Sequence, residues 1–248
     1  MTPSAPTPGI TLDRLAVDWW IYQAERGQRY STDDVVTAWE ASRTPRVATI
    51  LDLGAGVGSI GLLVLARHPD ARLTSIERLE GSVALLRRTV AANRLEDRVE
   101  IIAADLRTPD VLGPRRFDLV VANPPYLPRG RATVSPHPAR AAARIELHGD
   151  IRDYCRIAAR HLRQDGRFCL CHPAADPRTE AAITAAGMAV QSRRDVVFRH
   201  GEPPRLTIRV CGLARGSALA YPPLVIRGES RDRTEEFRAV RRELGIDA

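Results

Sequence analysis

The sequence predicts an α/β protein whose mostly parallel sheet ends in one antiparallel hairpin. Three observations support this prediction. From Val47 onward, apolar stretches with strand character alternate with amphipathic helical stretches, which is typical of a parallel sheet covered by helices. A glycine-rich turn, residues 54–61, follows the first of these strands. The connection between the last two strands, residues 199–205, is too short for a helical crossover, so these two strands must pair antiparallel.

The predicted elements follow one another without internal repeats. Strands are expected at 47–53, 71–77, 98–103, 117–122, 166–172, 190–198 and 206–211, and helices at 59–67, 81–93, 149–163 and 176–186. Before them, Ser31-Thr-Asp-Asp34 indicates the start of a further helix with Thr32 or Asp33 as its cap. After them, residues 229–248 alternate in charge and predict a solvated helix.

The length of 248 residues and the hydrophobic content of 44% indicate one globular domain. Residues 1–11 are rich in proline and predict a disordered tail. The domain is expected over 12–248, with an N-terminal segment 12–46, a core 47–212 and an extension 213–248. The chain start lacks the features of a secretory signal, and no apolar run approaches the roughly 20 residues of a membrane span. We therefore expect a cytoplasmic protein.

The net charge of +7 favours an acidic partner such as nucleic acid. All 37 basic residues are arginine, however, so genome composition is an alternative source of the charge. The four cysteines predict reduced, mostly buried thiols. Cys169 and Cys171 are separated by a single residue, whereas structural zinc sites use two to four, so no metal site is expected.

The turn after the first predicted strand carries a glycine pattern that suits a nucleotide-like ligand. Gly56, Gly58 and Gly61 have the G-x-G-x-x-G spacing of dinucleotide sites. Glycines at this edge of an open α/β sheet let the backbone approach a ligand closely. On this spacing alone, a nicotinamide cofactor and S-adenosylmethionine are equally compatible.

Three acidic residues at successive strand ends separate the two cofactors. Asp52 precedes the glycines, and a carboxylate there suits an ammonium and a sulfonium better than a pyrophosphate. Glu77 can accept hydrogen bonds from both ribose hydroxyls, and Asp105 can accept one from an adenine amino group. Each residue alone could be a helix cap or a solvated strand end. Three in succession favour S-adenosylmethionine as the cofactor.

The fourth core strand ends in Asn123-Pro124-Pro125-Tyr126, whose prolines force a rigid, extended turn. A planar amine is a poor nucleophile because its lone pair is delocalised. The Asn123 side-chain oxygen and the Pro124 carbonyl can accept both N–H groups of such an amine and localise the lone pair. Tyr126 can stack on a base or another planar group. The motif therefore predicts methylation of a planar amino nitrogen.

The segment after this motif is basic, because no acidic residue occurs between Asp118 and Glu146. Its proposed RNA-contacting residues are Arg129, Arg131, Arg140 and Arg144. A basic, proline-stiffened loop beside the predicted active site suits a phosphate backbone. The alternative is a solvated loop whose arginines reflect composition.

These residues resemble the bacterial tRNA methyltransferases that modify N6 of the adenine beside the anticodon of a valine tRNA. The resemblance extends over about residues 12–240 and includes segments 21–33, 222–228 and 234–237 outside the core. It implies a class I Rossmann-like methyltransferase fold, with a seven-stranded sheet and an antiparallel last strand. It also implies S-adenosylmethionine as cofactor, the anticodon stem-loop of tRNA as partner, and a monomer or weak homodimer.

By the resemblance, residues Asn123, Pro124, Pro125 and Tyr126 are catalytic. The residues that it assigns to the cofactor lie at the first helix start, the glycine turn and the strand ends: Thr32, Asp33, Asp52, Gly54, Ala55, Gly56, Gly58, Glu77, Arg78, Asp105, Leu106 and Asn123. The segment 12–46, which looks like a strand pair leading into the first helix, would cover the site. One departure is that this helix, from Asp34, is more polar at its start than in the family.

Other functions remain open at this point. A protein glutamine N5-methyltransferase could use the same motif, although such enzymes usually carry their own helical N-terminal domain. An RNA guanine-N2 methyltransferase, such as one acting on rRNA, is distinguished from an adenine-N6 methyltransferase only by the terminal segments of the sequence. A nicotinamide dehydrogenase would leave the Asn123–Tyr126 motif unexplained, and a non-catalytic RNA-binding module would leave the acidic set and Asn123 unexplained. The tRNA species and the modified position are left open.

Overall fold

The computed structural model describes residues 5–27, 29–128, 145–214 and 216–246. Its strands are β1 (Ile10–Ala16), β2 (Trp19–Ala24), β3 (Thr49–Leu53), β4 (Arg72–Glu77), β5 (Val99–Ala103), β6 (Phe117–Ala122), β7 (Leu162–Pro173), β8 (Ala189–Arg199), β9 (Leu206–Gly212) and β10 (Leu219–Arg227). Its helices are α1 (Thr32–Ser42), α2 (Ser59–Arg67), α3 (Glu80–Ala92), α4 (Ile151–His161), α5 (Arg178–Ala185) and α6 (Glu235–Glu243). Every strand and helix predicted between residues 47 and 211 is present, with ends shifted by a few residues.

The main sheet has the strand order β10-β8-β9-β7-β6-β3-β4-β5. Its strands run parallel except β9, which pairs antiparallel with β7 and β8, so the predicted fold class is confirmed. The structure adds an eighth strand, since β10 pairs parallel with β8. Its sequence contains Pro222-Pro223, which cannot donate to a ladder. The pairing accommodates them by a register shift between Tyr221 and Leu224, and this interruption hides the strand in the sequence pattern.

The sheet carries a hydrophobic core on each face, because successive side chains of a strand point to opposite sides. On β3, Ile50 packs into the core cluster that contains α1, α2 and α3, whereas Leu51 and Leu53 pack into the cluster under α4 and α5. All four cysteines are buried and free. No helix in the described ranges combines the length and apolarity needed to cross a bilayer.

The N-terminal segment forms the predicted strand pair, β1 and β2, and leads into α1. The hairpin is tied to α3, since the Tyr22 amide donates to Thr89 Oγ1 at 3.0 Å. The strand β1 begins at Ile10, two residues before the predicted domain boundary. The predicted cap of α1 is wrong: Ser31 is the N-cap with an extended backbone, and Thr32 already belongs to the helix.

The C-terminal helix α6 is amphipathic rather than solvated on all sides. Phe237, Val240 and Leu244 are buried, and their spacing of three and four residues places them on one helical face. This face packs against β10 and α1. Trp39 on α1 donates from Nε1 to Glu243 Oε2 at 2.6 Å. The alternating charges thus describe only the outer half of the helix.

A buried ion pair links α1 to the edge of the sheet. Arg194 on β8 pairs with Glu40 on α1, and these side chains are 8% and 5% exposed. The guanidinium also donates to the Pro222 carbonyl at 2.9 Å and lies between the Trp39 and Tyr221 rings. Glu40→Gln is expected to lower the free energy of unfolding by about 3 kcal/mol, since it leaves the buried guanidinium without a counter-charge. Urea unfolding measures this loss, and an unchanged midpoint would contradict it.

Candidate active site

A cleft opens at the carboxyl ends of β3, β4, β5 and β6. The cleft-lining residues are Gly54, Ile76, Glu77, Arg78, Leu79, Ala104, Asp105, Leu106, Asn123, Pro125, His148 and Tyr154. The order of the strands reverses between β3 and β6, and open α/β sheets bind ligands at such a switch point.

The glycine turn between β3 and α2 reaches the cleft at Gly54. Gly54 has a φ of +69°, and a Cβ there would lie 2.6 Å from the hydroxyl oxygen of Tyr154. Gly58 has a φ of +89° and is the N-cap of α2, where a Cβ would lie 2.4 Å from the side chain of Leu86. Both positions therefore require glycine, because of the backbone conformation and the lack of space. Gly54 therefore presents main chain to the cleft without a side chain in between.

Glu77 organises one wall of the cleft. Its Oε2 accepts a hydrogen bond from the Gly56 amide at 2.9 Å, and its Oε1 accepts from the Arg78 and Leu79 amides at 2.8 and 2.7 Å. The carboxylate thus fixes the glycine turn relative to the end of β4. It keeps acceptor capacity toward the cleft, since two carboxylate oxygens offer about four lone-pair sites. This position suits recognition of a pair of hydroxyl groups.

Asp105, in the loop after β5, lies between two arginines. Arg107 donates to both of its oxygens at 2.9 and 2.8 Å, and Arg78 lies 3.5 Å away. The hydrogen bonds from Arg107 hold the pKa of this carboxyl below its usual range. Asp105 is therefore ionised at neutral pH and can accept a hydrogen bond from a bound amino group.

Asn123 lies at the end of β6, where its amide meets the start of α1. Its Nδ2 donates to Asp34 Oδ1 at 2.9 Å and to Asp33 Oδ2 at 3.2 Å. Its Oδ1 accepts a hydrogen bond from the Tyr126 hydroxyl. No described residue donates to the Pro124 carbonyl. The amide oxygen and this carbonyl are the two acceptors that the sequence predicted for an amine.

Tyr126 points inward in this structure. Its hydroxyl oxygen also lies 3.0 Å from Asp33 Oδ2, which competes with Asn123 for the single hydroxyl proton, and 3.4 Å from Cys171 Sγ. Its ring contacts the ring of His172 edge-on, with 5.7 Å between centroids. Burial raises the pKa of the tyrosine well above its ordinary value. Stacking of Tyr126 on a base stays a prediction, and it requires this hydroxyl to leave Asn123 Oδ1.

Buried carboxylates without a cation lie behind the cleft. Burial raises the pKa of Asp34 to about 7 and that of Asp52 to about 7, and nearby acids add to both shifts. Within the described part of the chain, the buried Asp34, Asp52 and Glu77 and the half-buried Asp33 have no ion-pair partner. Unpaired buried carboxylates are costly, and a cationic ligand would stabilise them. The residues present therefore fit a cofactor with an ammonium and a sulfonium group.

The raised pKa of Asp52 predicts a pH-dependent effect of Asp52→Asn. The folded protein keeps this carboxyl protonated up to a pKa of about 7, whereas the unfolded chain ionises it near the ordinary aspartate value of 3.8. Between these pH values the wild type loses stability as pH rises, because the unfolded chain has released the proton that folded Asp52 still holds. Asparagine does not titrate, so the variant does not show this loss. We expect the variant to gain at least about 1 kcal/mol of unfolding free energy over the wild type between pH 4.5 and 7. Urea unfolding without ligand measures this difference, and a difference that is constant with pH would refute the assignment.

The structure brings part of the predicted cofactor set together. Gly54, Glu77, Arg78, Asp105, Leu106 and Asn123 line the cleft, and so does Pro125 from the predicted catalytic set. Asp52 is only 2% exposed and accepts from the Gly61 amide at 3.0 Å, so it lies behind the glycine turn. The other predicted cofactor residues outside the cleft lining are Thr32, Asp33, Ala55, Gly56 and Gly58. Their direct contacts stay predictions.

Sequence reasoning missed two residues that reach the cleft. His148 comes from the segment before α4, and Tyr154 comes from α4 itself. The helix was predicted, but no sequence pattern indicated which of its residues would face the ligand. Ile76, Leu79 and Ala104 were missed as well, although they adjoin the predicted strand ends. The proposed RNA-contacting residues Arg129, Arg131, Arg140 and Arg144 lie outside the described residues.

Comparisons with known proteins place the chain among methyltransferases. Residues 37–178 match the family model of the methyltransferase small domain. A release factor glutamine methyltransferase of Mycolicibacterium smegmatis is 33% identical over 69% of this chain, which spans 61% of that relative. A tRNA1(Val) (adenine(37)-N6)-methyltransferase of Klebsiella pneumoniae is 26% identical over 95% of this chain and 94% of its own length. Among solved structures, a protein of Agrobacterium tumefaciens described as a predicted O-methyltransferase superposes with a TM-score of 0.64 at 22% identity, covering 88% of this chain and 98% of that one.

Proposed function

The chain belongs to the methyltransferase small domain family, and on this basis we propose that it methylates N6 of an adenine in tRNA with S-adenosylmethionine as the methyl donor. Its resemblance to the bacterial tRNA1(Val) adenine-N6 methyltransferases is confirmed. The position beside the anticodon of a valine tRNA is the specific site that we propose. The observation that carries the proposal is the position of Asn123 on the lining of the cleft, directly before Pro124.

When bound, S-adenosylmethionine supplies a methyl group activated by a positively charged sulfur. Asn123 Oδ1 and the Pro124 carbonyl would accept the two N–H groups of the adenine amine, which directs its lone pair toward the methyl group. Both acceptors strengthen as positive charge develops on the nitrogen, so they stabilise the transition state more than the bound base. Tyr126 would stack on the base after it is extruded from the RNA, at a cost of a few kcal/mol.

A basic and aromatic cleft beside the start of α1 supports an RNA partner. It is lined by the arginines Arg227, Arg233 and Arg241, by the aromatic residues Tyr30, Phe198 and Phe237, and by Ser31, Thr32, Val35 and Ile226. Ser31 and Thr32 directly precede Asp33, whose carboxylate touches Asn123. Guanidinium groups bind phosphates, and the half-buried rings of Tyr30 and Phe198 are available to stack on unpaired bases, whereas Phe237 is buried. RNA nucleotides next to the target adenine could therefore lie along this surface.

The second candidate is methylation of a glutamine side chain in a protein, which the 33% identity to a release factor glutamine methyltransferase favours. A carboxamide nitrogen is also planar and can donate to the same two acceptors. The tRNA proposal has broader support, because the similarity to the Klebsiella pneumoniae protein includes both terminal segments.

In the test, the purified protein is incubated with labelled S-adenosylmethionine and bulk tRNA from a strain that lacks the gene. A separate reaction replaces the tRNA with a protein fraction. Nucleoside digestion and mass spectrometry should then show N6-methyladenosine in the tRNA. Label in the protein fraction but not in tRNA would favour the glutamine reaction, and N2-methylguanosine would mean that the base is wrong.

A further inference from the structure

We infer that Asp34 is a positioning residue for methyl transfer: its carboxylate fixes the orientation of the Asn123 amide so that Oδ1 faces the reacting amine. The inference rests on the proposed function, since it concerns the acceptor that would bind the amine. It also gives a role to the polar start of α1, the feature by which this chain departs from the family.

Asp34 is held rigidly on its own side. Asp34 is 6% exposed. Its Oδ2 accepts hydrogen bonds from the Ser31 amide at 3.2 Å and from Ser59 Oγ at 3.0 Å. These two donors come from the N-cap of α1 and from the first residue of α2. With Oδ2 engaged in this way, only Oδ1 is directed at Asn123. The carboxylate is therefore a fixed acceptor between two helix starts and the end of β6.

An asparagine amide has a donor end and an acceptor end, and rotation by 180° about its last bond exchanges them. In the observed orientation Nδ2 donates to Asp34 and Asp33. The reversed orientation would place the amide oxygen against both carboxylates; this is repulsive once Asp34 is ionised, which its raised pKa of about 7 sets at neutral pH and above. It would also present N–H groups to a substrate amine that can only donate in this geometry. Two carboxylates on one side thus select the orientation that methyl transfer requires.

The geometry has a second consequence for the reaction. The negative charge of the carboxylates next to Nδ2 polarises the Asn123 amide, so that Oδ1 becomes a stronger hydrogen-bond acceptor. Positive charge that develops on the attacked nitrogen is then stabilised by a preorganised group.

The isosteric variant Asp34→Asn tests the inference. Its amide oxygen is expected to keep the Ser31 and Ser59 donors, so its NH₂ group would face Asn123 and favour the reversed Asn123 amide. We expect kcat at saturating substrates to fall by about 100-fold, the effect of misplacing a reacting group. The Kd of S-adenosylmethionine by calorimetry and the KM for tRNA should stay within about threefold, because these contacts are made elsewhere. The melting temperature should stay or rise, because a buried carboxylate is removed.

A double-mutant cycle with Asn123→Ala separates positioning from a direct role. If Asp34 acts through Asn123, Asp34→Asn should lower kcat strongly in the wild-type background and by less than about threefold in the Asn123→Ala background. The matched control is Glu40→Gln, which neutralises the other buried acid of α1 and should lower stability without changing kcat. An equal loss of kcat in both backgrounds, or a loss that appears in Kd or in melting temperature, would overturn the inference.

A second measurement does not depend on turnover. In ¹⁵N-labelled protein, the side-chain amide protons of Asn123 should resonate downfield, as expected for donors to carboxylates, and Asp34→Asn should move them upfield. If the wild type methylated no RNA or protein but these resonances shifted as described, the proposed function would fail and the orientation of Asn123 would stand. If methyl transfer occurred but the resonances and the cycle showed no coupling, the role of Asp34 would be wrong.

Discussion

Asn123→Ala is expected to lower kcat for methyl transfer by at least about 100-fold, the usual effect of removing one transition-state acceptor or donor. The variant removes Oδ1 and also the Nδ2 that engages Asp33 and Asp34. The Kd of S-adenosylmethionine should remain within about threefold of wild type, because the lost interaction forms with the amine in the transition state. Single-turnover transfer of labelled methyl groups and calorimetry measure the two quantities.

The matched control is Asn93→Ala, since Asn93 is the only other asparagine in the chain. Its side chain joins α3 to β2 by hydrogen bonds of 2.8 Å with the backbone of Trp20. Asn93 therefore has a structural role and is not among the predicted catalytic residues. This variant should lower the melting temperature and leave kcat unchanged. A large loss of cofactor affinity in Asn123→Ala, with kcat preserved at saturation, would mean that Asn123 holds the cofactor rather than the amine.

The second large effect is expected for Glu77→Ala, in the binding of the cofactor. The substitution removes an acceptor for hydroxyl groups and frees the amides of Gly56, Arg78 and Leu79. Hydrogen bonds to a charged group contribute about 1.5–3 kcal/mol each, so we expect the Kd of S-adenosylmethionine to rise by about 100-fold or more. At saturating cofactor, kcat should fall much less than in Asn123→Ala.

Glu80→Ala is the control for this prediction, because Glu80 is an exposed acid three residues further along the chain. The Kd of S-adenosylmethionine for Glu80→Ala should equal that for the wild type. Calorimetric titration gives both values, and thermal unfolding shows whether Glu77→Ala is still folded. A cofactor affinity in Glu77→Ala within about threefold of wild type would show that the cleft binds its ligand through other groups.

The sheet and most of its helices follow from local patterns. An apolar run such as Phe117–Ala122 can only be a strand that is buried on both faces, and the short connection 199–205 forces an antiparallel pair. The elements that escaped are those whose identity depends on a neighbour. The strand β10 contains two prolines and is recognised only through its pairing with β8. The inner face of α6 is buried because β10 and α1 cover it.

The candidate site divides in the same way. Acids at successive strand ends and the Asn123-Pro124-Pro125-Tyr126 turn could be predicted, because parallel strands bring their carboxyl ends to one edge of the sheet. The contact between Asp34 and Asn123 joins residues 89 positions apart, and no periodicity encodes it. The burial of Asp52 behind the glycine turn is of the same kind. Local spacing specifies backbone conformation and the edge at which ligands bind, whereas the partner, burial and orientation of each side chain arise only when separate elements pack together.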